Sequence, residues 1–128
     1  VPIMKNLSLL LLLGLHFGAH AADLNNGQRL FGARCSSCHA VGPAASNGFG
    51  PQLNGLFGRR AGSTPGYAFS PAMKRSNIVW SDKTLAAFLD DPGELVPGTK
   101  MRFWGMSNAK QVGDLLAYLR TQQPAPQR

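Results

Sequence analysis

Three stretches of the chain repeat apolar residues with a helical period. From about Leu24 to Cys35, Leu30 and Phe31 fall on one face with Gly27 and Arg34 near it. Asn25 or Asn26 is placed to cap its start. From about Asp82 to Asp90, Leu85, Phe88 and Leu89 follow an i, i+3, i+4 pattern. Ser81 precedes this segment as an N-cap, and Asp91-Pro92 stops it, because the residue before a proline is pushed out of the helical region. From about Asn108 to Thr121, Val112, Leu115, Leu116 and Leu119 form a stripe that reads as a core-facing helix. Between the first and second helices lie more than forty residues rich in Gly and Pro, among them Gly50-Pro51, Gly55, Gly58, Gly62 and Pro65-Gly66. None of this stretch alternates as a strand does. So much irregular chain is unusual in a compact domain, so something besides secondary structure must organise it.

The N-terminal segment reads differently. Met4 and Lys5 open a short positive region, Leu7 to Leu15 is almost purely apolar, and Ala19-His20-Ala21 offers small residues at a cleavage site. This is the layout of a secretory signal, expected over residues 1–21, with Val1-Pro2-Ile3 upstream of the expected start at Met4. The apolar run falls short of the roughly 20 residues a membrane span needs. The chain has 128 residues. That length fits one domain, expected over residues 22–121, with residues 122–128 as a flexible tail. Thirteen Lys and Arg against six Asp and Glu give a net charge of +7. The basic residues are scattered, with no run longer than Arg59-Arg60 or Lys74-Arg75. A basic surface can favour nucleic acid, acidic lipids or an acidic protein partner; this scatter is weak support for nucleic acid and reads mostly as solvated surface.

Removing the signal segment takes His16 and His20 with it and leaves His39 beside Cys35 and Cys38. The segment Cys35-Ser36-Ser37-Cys38-His39 has the spacing of covalent haem attachment. Two thiols three residues apart can reach both vinyl groups on one side of a porphyrin, and the next residue then aims its imidazole at the iron. A disc-shaped cofactor would also give the long loops something to wrap. Other readings compete. A redox-active disulfide uses the same cysteine pair but sits between a strand and a helix. A zinc site needs four ligands as a rule, so a carboxylate or another chain would have to contribute. A structural disulfide is strained at this spacing and leaves His39 unused.

If the group is haem, methionine is the available second axial ligand, and it raises the reduction potential. Met101 lies in the constrained segment Pro97-Gly98-Thr99-Lys100-Met101 and is the first candidate. Met106, approaching the last helix, is the second. Met73, beside Lys74-Arg75, is the third.

The chain resembles the class I c-type cytochromes, of the mitochondrial and bacterial short-chain type. The resemblance runs through Gly27 and Phe31, the Cys35 to His39 motif, Gly50 to Gly62, Pro65-Gly66-Tyr67, Trp80, Pro97 to Met101, and Asp114 to Leu119. It implies an all-α fold: three main helices with long loops around one haem c, bound covalently through Cys35 and Cys38. It further implies His39 and Met101 as iron ligands and Pro51 as the carbonyl that orients His39. Arg59 and Trp80 would lie near a haem propionate, and Thr99 would bond there from the methionine side. Gly27 would let the first helix approach Tyr118. Phe69, Phe88 and Met73 stand where the family often has polar residues, so fewer polar groups would surround the haem.

The resemblance implies a monomeric, periplasmic electron carrier rather than an enzyme. Its partners would be redox proteins with acidic docking surfaces: an oxidase, a bc-type complex, a reaction centre or a dehydrogenase. Arg34 and Lys100 match a ring of cations around the exposed haem edge, whereas Gly93 and Glu94 stand where further cations are common. No nucleic acid and no stable membrane insertion are expected. The alternative is a haem c protein with an open iron site for ligand binding or peroxidase-like activity.

Overall fold

The computed structural model describes residues 21–122. The expected signal segment (save Ala21), the expected tail (save Gln122), His16 and His20 lie outside them. The described chain is helical: α1 (Leu24–Arg34), α2 (Pro71–Lys74), α3 (Asp82–Asp90), α4 (Pro92–Leu95) and α5 (Ala109–Arg120). Among the described residues there is no strand, only one isolated antiparallel bridge between Arg60 and Val79. The three expected helices are α1, α3 and α5.

The start of α1 corrects the sequence reading. Its N-cap is Asp23, whose side chain accepts from the Asn26 N–H at 2.9 Å. Asn26 is inside the helix, and its amide donates to Asp114 at 2.8 Å. A tertiary hydrogen bond thus takes the side chain that local pattern offered as a cap. In α3 the cap is as expected: Ser81 and Thr84 form a reciprocal capping box. Asn108 caps α5 by accepting from Gln111 at 3.0 Å. Asp91-Pro92 does more than stop α3. Asp91 closes α3 and also caps α4, accepting from Glu94 at 3.1 Å, while Pro92 takes the first helical position, where its missing N–H costs nothing.

The first and last helices pack directly on each other. A Cβ built at Gly27 would lie 2.1 Å from the Asp114 carbonyl oxygen and 2.7 Å from Tyr118 Cβ, so only glycine allows this approach. The Phe31 and Tyr118 rings meet at 5.9 Å between centroids. Leu30, Leu115, Leu116 and Leu119 are buried along the same seam.

Asp114 fastens the end of this seam. It is buried, and it accepts from Lys110 at 2.7 Å, from the Asp23 N–H at 2.8 Å and from Asn26 at 2.8 Å. These donors, Lys110 foremost, hold its carboxyl down at about 2 from the ordinary 3.8. A depressed acid stabilises the fold fully above its unfolded pKa and loses that contribution as pH falls through its folded pKa. Asp114→Asn should therefore be less stable than wild type at neutral pH, and the gap should narrow between roughly pH 4 and pH 2. Denaturant midpoints measured across that range check this; a gap that stays constant would contradict it.

Side-chain amides stitch the long loop. Asn54 accepts from the Gly42 N–H at 2.9 Å and donates to the Gly42 carbonyl at 2.7 Å. Asn47 accepts from the Gln52 N–H at 2.9 Å and donates to the Pro65 carbonyl at 3.0 Å. The Tyr67 hydroxyl donates to the Phe49 carbonyl at 2.7 Å. These bonds shape the loop around a hollow.

Candidate haem site

The hollow is a cavity of about 450 Å³ between the loop, α3 and α5. Leu85, Phe88, Leu89, Leu115 and Leu116 form much of its apolar wall. Trp80 packs at a tilt against Phe88 in the same wall, 5.2 Å between ring centroids.

Cys35, Cys38, His39, Pro51, Trp80, Thr99 and Met101 all line this cavity. Arg59 does not, but it donates to the hydroxyl of Thr64 at 3.2 Å, and Thr64 is part of the lining. Residues more than sixty positions apart are thus brought to one space.

Cys35 caps the C-terminus of α1, and its backbone N–H donates to the Phe31 carbonyl at 2.9 Å. The turn continues with the Cys38 and His39 N–H groups, which both donate to the Cys35 carbonyl, at 3.1 and 2.9 Å. Both thiols are unpaired. Burial pushes the Cys35 thiol up to about 11. Such a thiol is protonated at neutral pH, the opposite of what a thiol–disulfide exchange nucleophile needs.

His39 Nδ1 lies 2.8 Å from the Pro51 carbonyl oxygen. A carbonyl only accepts, so Nδ1 carries the proton and Nε2 keeps a free lone pair. Burial lowers the pKa of the ring, with the Pro51 bond opposing it, so the imidazole is neutral and able to coordinate. Gly50 makes room for it: a Cβ there would sit 2.5 Å from the ring. The glycine-proline pair thus seats the imidazole with its backbone and orients it with a carbonyl.

The methionines divide by position. Met101 is half-buried in the cavity wall, after a turn closed by the Thr99 N–H on the Val96 carbonyl at 2.9 Å. Met106 is buried outside the lining, with its N–H on the Leu89 carbonyl at 2.7 Å. Met73, the last choice from sequence, does line the cavity, from α2. Its placement depends on that single turn, which Ser70-Pro71 marks as an N-cap followed by proline at the first helical position. Phe69 and Phe88 line the cavity as well, beside the polar Ser37, Thr64, Tyr67, Ser70 and Thr99.

The donor set suits haem better than zinc. No Asp or Glu lines the cavity, and among the described residues no group of three or more His, Cys, Asp or Glu could hold a metal ion. What the cavity offers is two thiols, a neutral imidazole, the thioethers of Met101 and Met73 and largely apolar walls. Those are the groups for attaching and ligating a large apolar macrocycle.

Comparison with known proteins agrees. The family model for cytochrome c matches residues 24–123. Cytochrome c of Gibberella zeae is 45% identical over 98 residues, covering 77% of this chain and 92% of the relative. Cytochrome c2 of Blastochloris viridis is 43% identical over 102 residues, covering 80% of each chain. The solved structure of cytochrome cH from Methylobacterium extorquens is 44% identical with a TM-score of 0.72, covering 78% of this chain and 99% of that one. Taken with these relatives, the fold and site define a monohaem electron-transfer protein rather than an enzyme. The chain belongs to the cytochrome c family, whose members carry one covalent haem c, and Cys35 and Cys38 have the spacing for that attachment.

Proposed function

We propose that this chain is a soluble, monomeric carrier exported to the periplasm, with His39 Nε2 and Met101 Sδ as the axial ligands of its haem iron. The observation that carries this reading is that His39 and Met101 line the same apolar cavity as both attachment thiols. Export rests on the charge and hydropathy layout of residues 4–21. No helix among the described residues is long and apolar enough to cross a membrane.

Bound there, haem c supplies a one-electron iron couple, which methionine ligation shifts to higher potential. The chain's own residues fix its setting. Pro51 and Gly50 hold the His39 ring in one tautomer and one place. Trp80, Phe88 and the leucines keep water away. Arg59, Trp80 and Thr99 are assigned to the propionates. With His39 and Met101 both holding the iron, no open position would remain for a substrate, which is the condition for a carrier.

The partners are redox proteins with acidic docking surfaces, of the oxidase, bc-complex, reaction-centre or dehydrogenase class. Arg34, Lys100 and Arg102 stand at the cavity mouth and would steer such a partner by charge. One experiment tests the carrier reading against an open iron site. The ferrous holoprotein is mixed with carbon monoxide. A carrier binds it slowly or not at all. Rapid, complete binding would instead favour a ligand-binding or peroxidase-like protein.

A further inference from the structure

Trp104 is fully exposed, and Phe49 is 89% exposed. Both belong to segments that line the cavity. Phe49 is part of the lining, and Trp104 directly follows Arg102 and Phe103, which are also part of it. A large aromatic in solvent gains nothing for the isolated protein, so its position matters more than its presence.

The segment bearing Trp104 is held firmly. Arg34 donates to the Gly105 carbonyl at 3.1 Å, and its guanidinium lies 5.1 Å from the Phe103 ring centre. The Met106 N–H bonds the Leu89 carbonyl at 2.7 Å. Gly105 has φ +92°, and a Cβ there would sit 2.5 Å from the Asp90 carbonyl oxygen. The indole is therefore presented on a fixed backbone, which lowers the ordering cost of using it in a contact.

The charged side chains that line the cavity have one sign, and the exposed Asp90 lies against Gly105, the residue after Trp104. Arg34, Lys100 and Arg102 line the mouth, and no carboxylate does. Trp and Arg are the residue types that carry most of the energy at protein interfaces. We propose that Trp104 is the apolar anchor of the docking face, seated in an apolar recess rimmed by carboxylates on a redox protein. This rests on the carrier reading. The cations set the rate of encounter, and the indole sets how long the partners stay together. Salt should therefore weaken docking only in part, and the residue left at high salt should belong to Trp104. A lipid surface also takes tryptophan with cations, but it favours an amphipathic helix face, whereas this indole stands on a loop.

The test follows oxidation of the reduced holoprotein by a purified terminal oxidase and by a purified reaction centre, at low and high salt, with ferricyanide as a small-molecule oxidant. With whichever protein acceptor wild type serves faster, Trp104→Ala should lower the second-order rate by roughly tenfold at both salt levels. Trp104→Phe should lose less, and ferricyanide rates should not change. Equal rates for wild type and Trp104→Ala would overturn the proposal. So would a wild type that reacts with ferricyanide but with neither protein, although the carrier reading would survive that result. Loss of binding to phosphatidylglycerol vesicles with unchanged protein rates would overturn it in favour of a membrane contact. A wild type that cannot be reversibly reduced and reoxidised at all would sink the carrier reading itself.

Discussion

The Cys35→Ala/Cys38→Ala double variant, expressed with haem-attachment machinery, is expected to emerge without covalent haem and without a cooperative thermal transition. Both thiols stand at the wall of one cavity, so removing them removes the tether for its filling. Without the group it is shaped for, the apolar wall of the cavity of about 450 Å³ lacks packing partners, and that loss grows with the size of the space. The long loop has no sheet or long helix to fall back on; it relies on Asn47, Asn54 and the wall it wraps. Thermal melts by circular dichroism, with haem staining after denaturing electrophoresis, check this. A haem-free variant melting cooperatively at the wild-type midpoint would show that the cavity needs no filling.

His39→Ala has the second largest expected effect, and of a different kind. The thioether links should survive, so haem should remain attached and the protein coloured. The iron would lose the Nε2 donor that Pro51 and Gly50 hold in place. The visible spectrum should change to that of a weakly ligated iron, and the reduction potential should move. Added imidazole should restore the wild-type spectrum, because the gap it enters keeps the Pro51 carbonyl to bind its N–H. A spectrum unaffected by the substitution would mean that His39 does not bind iron.

How legible this was from sequence varied with the length scale of the signal. Helix α3 could be read because period, cap and stop agreed within one segment, and α5 from its apolar stripe alone. The cap of α1 could not, because Asn26 serves Asp114, 88 residues away, and no local pattern records that partner. Helices α2 and α4 are single turns, too short to show a period. Their only signals were Ser70-Pro71 and Asp91-Pro92, and the second read as a stop alone. The amide bonds of Asn47 and Asn54 that organise the loop carried no signal beyond residue type. In the site, the Cys35 to His39 motif is contiguous and was plain. Pro51 and Thr99 were named from resemblance and Met101 from its constrained segment, and all three reach the cavity only through the fold. The order of the reserve methionines shows the limit. Met106 looked better placed than Met73 along the chain, yet the turn of α2 carries Met73 to the cavity while Met106 is buried in the core outside it.

The central claim is that Met101 closes the iron site and makes this protein a carrier. The direct measurement is the weak red-edge absorption band of methionine bound to ferric iron, recorded for wild type, Met101→Ala, Met73→Ala and Met106→Ala. The band should be present in wild type, Met73→Ala and Met106→Ala and absent in Met101→Ala. A band that survives in Met101→Ala, or that wild type never shows, would contradict the account.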